Sequence, residues 1–468
     1  MIACAPDLKR CAMPARHTAR PGQAAASGSA ARRRATLIGV KSTAAPTLAV
    51  PSLDVQPGRT TLLLAAVWTL TGAAYGCVLP FLAVYAARRG LTVPQIGLLS
   101  TVGAGCAAAM QPVLGRLVDR TGRPRPILAA TALIGAIGWA ALGHVSTPPL
   151  LTACAALGTA AFYGTRVVLV PATVSILERT GQGAAVFARY RIGPPLAFTV
   201  TGMGGGFLLG HLSFALLFSA GALFYLVIAV CGQALPARMG QRELPAASSA
   251  QPATLPWTHR VLLTLALMAV LYGIATSCAD TYVALLMRHL QGSFLQVGLA
   301  GTIMTVAEVP LMIIFGRLAD RGQGEHGRGL LLTLAMAVLP LRFALYFLVR
   351  TPVQLLGVQL LDGPTFAAFA IVGVVLLTDQ TPPTERAWAL SLYSAASMLG
   401  LIAGPVLAGL VAARVGLQPM FGLFALGAMT VPVAVVIGLW PLLRPACTGA
   451  IPGPSETVPG GGEDKHAE

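Results

Sequence analysis

Twelve long apolar runs dominate this sequence and limit what it can fold into. They cover 61–86, 96–114, 127–145, 149–171, 192–210, 212–235, 260–287, 296–315, 329–349, 352–378, 387–411 and 417–440. Most of them reach the roughly 20 residues that a helix needs to cross about 30 Å of hydrocarbon. Strands of a membrane barrel are about 10 residues long and alternate in polarity, so continuous runs of this length predict helices. We therefore expect an all-α polytopic membrane protein with twelve transmembrane helices.

The composition agrees with a lipid environment. Charged residues make up 10% and hydrophobic residues 55% of the 468 residues, whereas about 25% of the residues of a soluble domain are charged. The net charge of +16 would suit a nucleic-acid partner, but no basic groove with interleaved aromatic residues accompanies it. We predict no nucleic-acid partner and take the bilayer as the solvent of this chain.

The arginine residues predict the orientation of the helices. If the N-terminus is cytoplasmic, the inside loops contain Arg116, Arg120, Arg123, Arg125, Arg179, Arg189, Arg191, Arg238, Arg242, Arg260, Arg317, Arg321, Arg328 and Arg386. The outside loops then contain only Arg88, Arg89, Arg288, Arg350 and Arg414. Because positive residues accumulate on the cytoplasmic side of membrane proteins, we expect a multi-pass protein of the plasma (inner) membrane with both termini in the cytoplasm.

Two charged stretches between apolar runs resemble each other, GRLVDRTGRPRP at 115–126 and GRLADRGQGEHGR at 316–328. A shift of 201 residues (316 − 115) superimposes them. The same shift relates further pairs in their flanks, namely Gln95 and Gln296, Gly97 and Gly298, and Leu98 and Leu299. One offset that serves separate regions indicates a duplicated six-helix unit, and many transporters are built from such internal repeats.

The duplication predicts the organisation of the chain. We expect one six-helix half at 59–235 and a second at 260–443. The proline-containing stretch 236–259 is predicted to be a cytoplasmic linker between them. The basic N-terminal tail at 1–58 and the C-terminal tail at 444–468 are predicted to be disordered.

The first charged stretch resembles the signature loop of the major facilitator superfamily, Gly-x-Leu-x-Asp-Arg-x-Gly-Arg. Its positions are filled by Gly115, Leu117, Asp119, Arg120, Gly122 and Arg123. The second copy keeps Gly316, Asp320 and Arg321 and departs from the pattern after them. With the twelve runs, the resemblance covers about 59–443. It implies two pseudo-symmetric six-helix halves and secondary active transport of a small solute by alternating access.

The resemblance also implies a role for the signature residues. In the family this loop lies on the cytoplasmic face and forms a latch between helix ends that holds the outward-facing state closed on its inner side. Asp119 would accept from a helix N-terminus and from arginines of neighbouring loops, and Arg116 belongs to the same latch motif. A carboxylate at a helix N-terminus gains about 0.3–1 kcal/mol, which is weak enough to break in each cycle. The alternative is that these arginines only set the topology.

Five ionisable residues fall inside the apolar runs, and such residues are expensive in a bilayer and mark functional sites. They are Arg166, Asp280, Glu308, Arg342 and Asp362. At 1.5 Å per residue, Glu308, Arg342 and Asp362 lie within about 5 Å of the bilayer midplane. Three acids and two bases predict mutual pairing. An acid left without a base can be protonated at neutral pH because burial disfavours its charge, which is the chemistry that a proton-coupled carrier needs.

Two of these residues lie in segments that resemble helices nine and ten of the proton-coupled sugar and nucleoside symporters. The segments are LPLRFALYFLV at 339–349 and VQLLDGPTFAAF at 358–369. Arg342 matches an arginine of the coupling cluster, and Asp362 stands where those proteins have a histidine. Their acidic residue in helix four is replaced by Arg166, which argues against a galactoside. Arg166 and Arg342 together leave an anionic substrate open as an alternative.

Other functions and partners were weighed against a symporter. A drug–proton antiporter of the same superfamily is the main alternative, although helix five lacks the glycine-proline order of that group. A channel would need a re-entrant half-helix, and none stands between the runs. The eight cysteines form no CxxC pair and no Walker loop is present, so we predict no enzyme, no metal and no cofactor. Tyr75 and Tyr393 are candidates to line the pathway, with packing as their alternative.

We therefore expect a monomer whose partners are a small-molecule substrate, protons and the lipid bilayer. The topology is testable by labelling. Tags at the N-terminus, at 245–255 and at the C-terminus should be shielded in intact cells, because all three are predicted to be cytoplasmic. A thiol introduced by Ser146→Cys should react with an impermeant reagent from outside. External labelling of the 245–255 tag would show that the arginine distribution had misled us.

Overall fold

The computed structural model describes residues 57–180, 184–235, 260–320, 324–382 and 385–443. Its N-terminal half contains α1 (Pro57–Gly76 and Leu79–Arg88), α2 (Val93–Thr121), α3 (Pro124–Leu142), α4 (Pro148–Thr180), α5 (Ala184–Leu208) and α6 (Phe214–Cys231). Its C-terminal half contains α7 (Arg260–His289), α8 (Phe294–Asp320), α9 (Gly324–Met336 and Val338–Leu348), α10 (Pro352–Asp379), α11 (Arg386–Val415) and α12 (Leu417–Ala428, Thr430–Gly438 and Trp440–Leu443). The prediction of an all-α protein with twelve spans is confirmed.

Over the described part of the chain, eleven of these spans are long and apolar enough to cross a membrane, and α5 is the twelfth long helix. Each span coincides with a continuous apolar stretch, and it is helical because a helix satisfies all of its backbone hydrogen bonds within the segment. The predicted linker at 236–259 lies outside the described residues, as do 1–56 and 444–468, which hold nearly all of the predicted tails.

The repeat of 201 residues encodes the same helix start in both halves. At the beginning of α2, the Gln95 side chain accepts a hydrogen bond of 2.8 Å from the backbone N–H of Thr92. At the beginning of α8, Gln296 accepts an equivalent bond of 2.8 Å from Ser293, whose own hydroxyl accepts from the Gln296 backbone at 3.2 Å. These are capping boxes, which satisfy N–H groups that a helix end leaves free. The repeated glutamines therefore fix where α2 and α8 start.

The charged stretches were predicted to lie in gaps between helices, and this is wrong for most of their residues. Helix α2 continues to Thr121 and α8 continues to Asp320, so both stretches form the last turns of a helix. Gly122 ends α2 with a positive φ of 59° and donates its N–H to Val118. The 29 residues of α2 span about 44 Å, which is longer than the hydrocarbon, so its charged end projects beyond the lipid. We call this side of the molecule the motif face.

At the other side, the opposite face, the two halves touch closely through α2 and α11. A Cβ atom on Gly97 would lie 2.3 Å from the Pro405 carbonyl oxygen, which no real side chain allows. Thr101 donates to the Ile402 carbonyl at 2.7 Å. The Tyr282 hydroxyl of α7 lies 2.9 Å from the carbonyl oxygen of Pro405. Glycine is therefore needed at position 97 for this approach of two backbones.

The second contact between the halves joins α5 and α8. A Cβ atom on Gly298 would lie 2.2 Å from the Gly202 carbonyl oxygen, and one on Gly206 would lie 2.4 Å from the Phe294 carbonyl oxygen. Gly97 and Gly298 are repeat equivalents, so the duplicated glycine makes the contact between halves twice.

An aromatic cluster covers the opposite face above these contacts. The rings of Phe214 from α6 and Phe294 from α8 meet edge to face at 5.6 Å. The guanidinium groups of Arg88 and Arg288 each lie 4.6 Å from the centre of the Phe294 ring. Such cation–π contacts contribute about 0.5–1 kcal/mol each at exposed sites. They add to the closure of this face.

The motif face differs. A Cβ atom on Gly115 or on Gly316 would meet nothing within 4 Å. The side chains of Arg116, Asp119 and Arg120 are exposed. All the contacts between halves described above lie toward the opposite face. In the part of the chain that the structure describes, the molecule is closed at the opposite face and open at the motif face.

The closure predicts the effect of adding a side chain. Gly298→Val should prevent α5 and α8 from meeting, because its Cβ would overlap a backbone oxygen. Spin labels at Ser146→Cys and His289→Cys should then move apart, as measured by pulsed electron paramagnetic resonance. Gly105→Val is the matched control, because a Cβ at Gly105 meets nothing within 4 Å. Equal label distances in both variants would contradict the role given to Gly298.

Candidate functional site

A buried ion pair lies in the middle of the C-terminal half. The Nη1 atom of Arg342, in α9, donates to Oδ1 of Asp362, in α10. Their side chains are 1% and 3% exposed. An unpaired charge at this depth costs at least about 2.5 kcal/mol, so each group needs the other. The structure brings these two predicted candidates together.

A hydrogen-bond chain extends from the guanidinium. Its Nε donates to the hydroxyl of Tyr346 at 2.7 Å, because residues four apart share one face of a helix. The Tyr346 hydroxyl in turn donates to the Oε1 atom of Gln359. Both residues are buried. Neither was a candidate from the sequence, although the arginine–tyrosine spacing and a glutamine in the middle of an apolar run were available signals.

Helix α10 is irregular around the ion pair, whereas the sequence predicted one continuous helix over 352–378. A 3₁₀ turn at Gln359–Leu361 precedes Asp362, and a π-helical segment follows at Ala368–Val372. The hydroxyl of Tyr393 donates to the Phe369 carbonyl at 3.0 Å within this segment. Such irregular turns are frequent at functional sites. Tyr393 is 4% exposed, which agrees with the packing alternative for this residue.

Two further acids lie near the pair. Glu308, in α8, is close enough to Asp362 for the two carboxyl groups to interact electrostatically. Asp280, in α7, is close enough to Asp362 and Arg342 to interact with both electrostatically. Three acids therefore surround one guanidinium group. We call Asp280, Glu308, Arg342 and Asp362 the charge cluster.

The fifth predicted candidate, Arg166 of α4, lies elsewhere. Its guanidinium group is 5.3 Å from the centre of the Phe162 ring, and in the described part of the chain it forms no ion pair. Phe162 stacks on Tyr75 of α1 with 3.8 Å between ring centres. The prediction that three acids pair with two bases therefore holds for one pair only, because Arg166 belongs to the N-terminal half and rests on an aromatic ring.

Asp280 separates two cavities at the boundary between the halves. The first has a volume of about 110 Å³ and is lined by Asp280, Arg342 and Gln359 among apolar residues. The second also has a volume of about 110 Å³, and its wall contains the hydroxyl groups of Tyr75, Ser100, Thr159, Tyr163, Ser277 and Thr281. Leu79, beside the break in α1, lines both cavities. Asp280 is exposed to this space. A concave site with a few polar groups between two halves suits a small solute.

Comparison with known proteins identifies the family. A family model described as the MFS_1 like family matches residues 62–423. The chain belongs to this family of the major facilitator superfamily.

Relatives of this MFS_1-like chain are transporters. A protein of Deinococcus radiodurans described as a sugar efflux transporter is 26% identical over 375 residues, which is 76% of this chain and 92% of the relative. A maltose permease of Geobacillus stearothermophilus is 26% identical over 58% of this chain and 67% of its own length. The crystal structure of the nucleoside transporter NupG has a TM-score of 0.71 at 18% identity and covers 81% of this chain and 99% of that one. The protein is therefore a multi-pass membrane transporter and not an enzyme.

The signature residues of this MFS_1-like protein lie apart from the charge cluster. Asp119 and Asp320 are exposed at the motif face, and neither forms an ion pair within the described residues. Gly122 is the helix cap described above, and Arg123 is exposed. Arg321 lies outside the described residues. The proposed latch contacts are thus absent from the part of the open motif face that the structure describes.

The burial of the Arg342–Asp362 pair predicts that neutralising Asp362 lowers the stability of the protein far more than neutralising Asp379 does. Asp362→Asn and Arg342→Gln should each destabilise the protein by about 3–5 kcal/mol, because each leaves a buried charge unpaired. The double variant should recover most of that loss. Asp379→Asn is the control, because its partner Arg328 and Asp379 itself are 21% and 34% exposed, and exposed pairs contribute at most about 1 kcal/mol. Unfolding in mixed micelles measures all four. Equal losses for Asp362→Asn and Asp379→Asn would contradict this assignment.

Proposed function

We propose that the protein is a proton-coupled carrier that moves a small polar solute by alternating access. The observation that supports it is the charge cluster, which combines a buried ion pair with two further carboxyl groups at the edge of a cavity. The alternative of a drug–proton antiporter is supported only by the apolar residues that make up most of the cavity walls, whereas the hydroxyl, carboxamide and carboxyl groups among them favour a polar solute.

The count of charges in the cluster supports proton coupling. If Asp280, Glu308 and Asp362 were all ionised, one guanidinium group would face three negative charges. Carboxyl groups in contact do not both ionise, because like charges in a low dielectric repel strongly. At least one of the acids therefore holds a proton in this state. Movement of the helices would change which group holds it and to which side it can leave.

Asp362 is our first choice for the coupling group. It is the acid that pairs with Arg342, and it lies near enough to Glu308 for their charges to interact. It also follows the irregular turn of α10, so a change in its charge acts directly on a segment of weak helical geometry. Its position matches the titratable residue of the symporters that the sequence resembles.

The substrate class follows from the cavity walls. Asp362 neutralises Arg342. Arg342 was one of the two guanidinium groups that favoured an anionic substrate, so only Arg166 still favours one. The remaining lining is mostly apolar, with hydroxyl groups in the second cavity and the Gln359 carboxamide in the first, and Asp280 can accept from a hydroxyl group. These polar groups suit a neutral solute that carries hydroxyl groups, which agrees in kind with the relatives named for sugars and for maltose.

We also propose that the motif face is cytoplasmic, in the plasma membrane, and that the described state is open to the inside. A glycine inside a helix is about 1 kcal/mol less favourable than alanine. Gly115 and Gly316 contact nothing here, so no packing in this state explains them. A close approach of α2 and α8 to the other half in the outward-facing state would explain both. The latch of Asp119 belongs to that state.

Transport in proteoliposomes tests the proposal. Glucose, maltose and uridine serve as labelled probes, each with and without a pH gradient. The wild type should accumulate at least one of them against its gradient. Asp362→Asn should lose accumulation but keep exchange of the same probe, because exchange requires no net release of a proton. Accumulation by Asp362→Asn, or by the double variant with Arg342→Gln, would exclude Asp362 and move the role to Glu308.

The latch has its own test. Asp119→Asn should leave folding and membrane insertion nearly intact and should slow transport, because it removes a contact between states and not a substrate contact. Asp320→Asn should have a smaller effect, since its copy of the signature is incomplete. Normal transport rates in Asp119→Asn, measured beside the amount of inserted protein, would overturn the latch.

A further inference from the structure

We propose that Gln359 binds the transported solute and links its presence to the Arg342–Asp362 pair through Tyr346. This inference rests on the proposed function, because it names a residue through which the same cavity binds its substrate. Neither Gln359 nor Tyr346 is a charged group, and neither was a candidate from the sequence.

The carboxamide of Gln359 has one end in the protein and one end at the cavity. Its Oε1 atom accepts from Tyr346. Its Nε2 atom has no protein partner among the residues that the structure describes. The residue is only 4% exposed and lines the first cavity. An amide donor at a cavity wall that has no acceptor from the protein can be paired by an acceptor that enters the cavity.

The chain of donors fixes which way the carboxamide points. A guanidinium group can only donate, so the Tyr346 oxygen accepts from Arg342 and its proton must go to Gln359. Gln359 must therefore present its oxygen to Tyr346 and its NH₂ group to the cavity. The group that binds there has to be an acceptor, such as a hydroxyl or carbonyl oxygen of the solute. An ammonium group would be rejected at this position.

The position of Gln359 in α10 connects binding to the ion pair. Gln359 begins the 3₁₀ turn that ends immediately before Asp362. A solute oxygen that engages Nε2 therefore acts on Asp362 by two routes. One is the side-chain route through Tyr346 and Arg342, and the other is the single turn of backbone between Gln359 and Asp362. The hydrogen bonds of the Arg342 guanidinium group can therefore differ between an occupied and an empty cavity.

Two substitutions separate these roles. Gln359→Met keeps the volume but removes both the donor to the solute and the acceptor of Tyr346, and it should raise the KM for exchange of the probe about 5- to 10-fold, as expected for one lost hydrogen bond to the solute. Tyr346→Phe leaves the Gln359 donor at the cavity and cuts the link, so it should keep the exchange KM within about 2-fold and reduce accumulation. Gln233→Met, at an exposed glutamine at the end of α6, is the control and should change neither.

Thiol labelling provides a second measurement that does not depend on kinetics. In a variant without the native cysteines, Gln359→Cys should react with N-ethylmaleimide, and the exchanged probe should slow the reaction. Leu360→Cys is the matched control, because Leu360 is 53% exposed on the outer surface of a span and should gain no protection.

The outcomes separate the two proposals. No exchange of glucose, maltose or uridine by the wild type would overturn the proposed function and this inference with it. Exchange by the wild type with an unchanged KM in Gln359→Met would overturn the inference alone. The same holds if Gln359→Cys does not react, or if it reacts without protection by a probe that the protein exchanges.

Discussion

A guanidinium group in the middle of a bilayer must be neutralised and hydrogen-bonded, and the C-terminal half is arranged around that requirement. Arg342 donates to Asp362 on one side and to Tyr346 on the other. Tyr346 is satisfied by Gln359, and Gln359 reaches the cavity. Removing any one of these four residues leaves a polar group without its partner, so the four act as one unit. This hydrogen-bond chain therefore connects the empty space between the halves to the residue that we assign to proton binding.

The second constraint is the close approach of the two halves at one face only. Gly97 and Gly298 allow backbone oxygens to come within a distance that excludes a Cβ atom. Both arise from the same position of the duplicated unit, and both follow a capping glutamine that fixes the start of the helix. The halves are thus held together at the opposite face by contacts that need little side-chain bulk. Such contacts are suited to separate and re-form, because no deep apolar interlock has to be broken.

Much of this could be predicted from the sequence, because lipid imposes strong rules. The twelve spans follow from run length, and the candidates Arg342 and Asp362 follow from the expense of charge in hydrocarbon. The partners of these charges could not be predicted in the same way. Depth along a helix does not show which face a residue lies on, so Arg166 was grouped with acids that belong to the other half. Gln359 and Tyr346 carry no charge and were overlooked. The length of α2 was underestimated because polar residues can extend a helix into water as readily as they can end it.

The central claim is that Asp362 takes up and releases a proton in the folded protein. Infrared difference spectroscopy of the purified protein during a pH titration tests it directly, because a protonated carboxyl group has its own carbonyl band. We predict a titrating carboxylic-acid band in the wild type and in Glu308→Gln that is absent from Asp362→Asn. An unchanged band in Asp362→Asn, or its loss only in Glu308→Gln, would contradict the account.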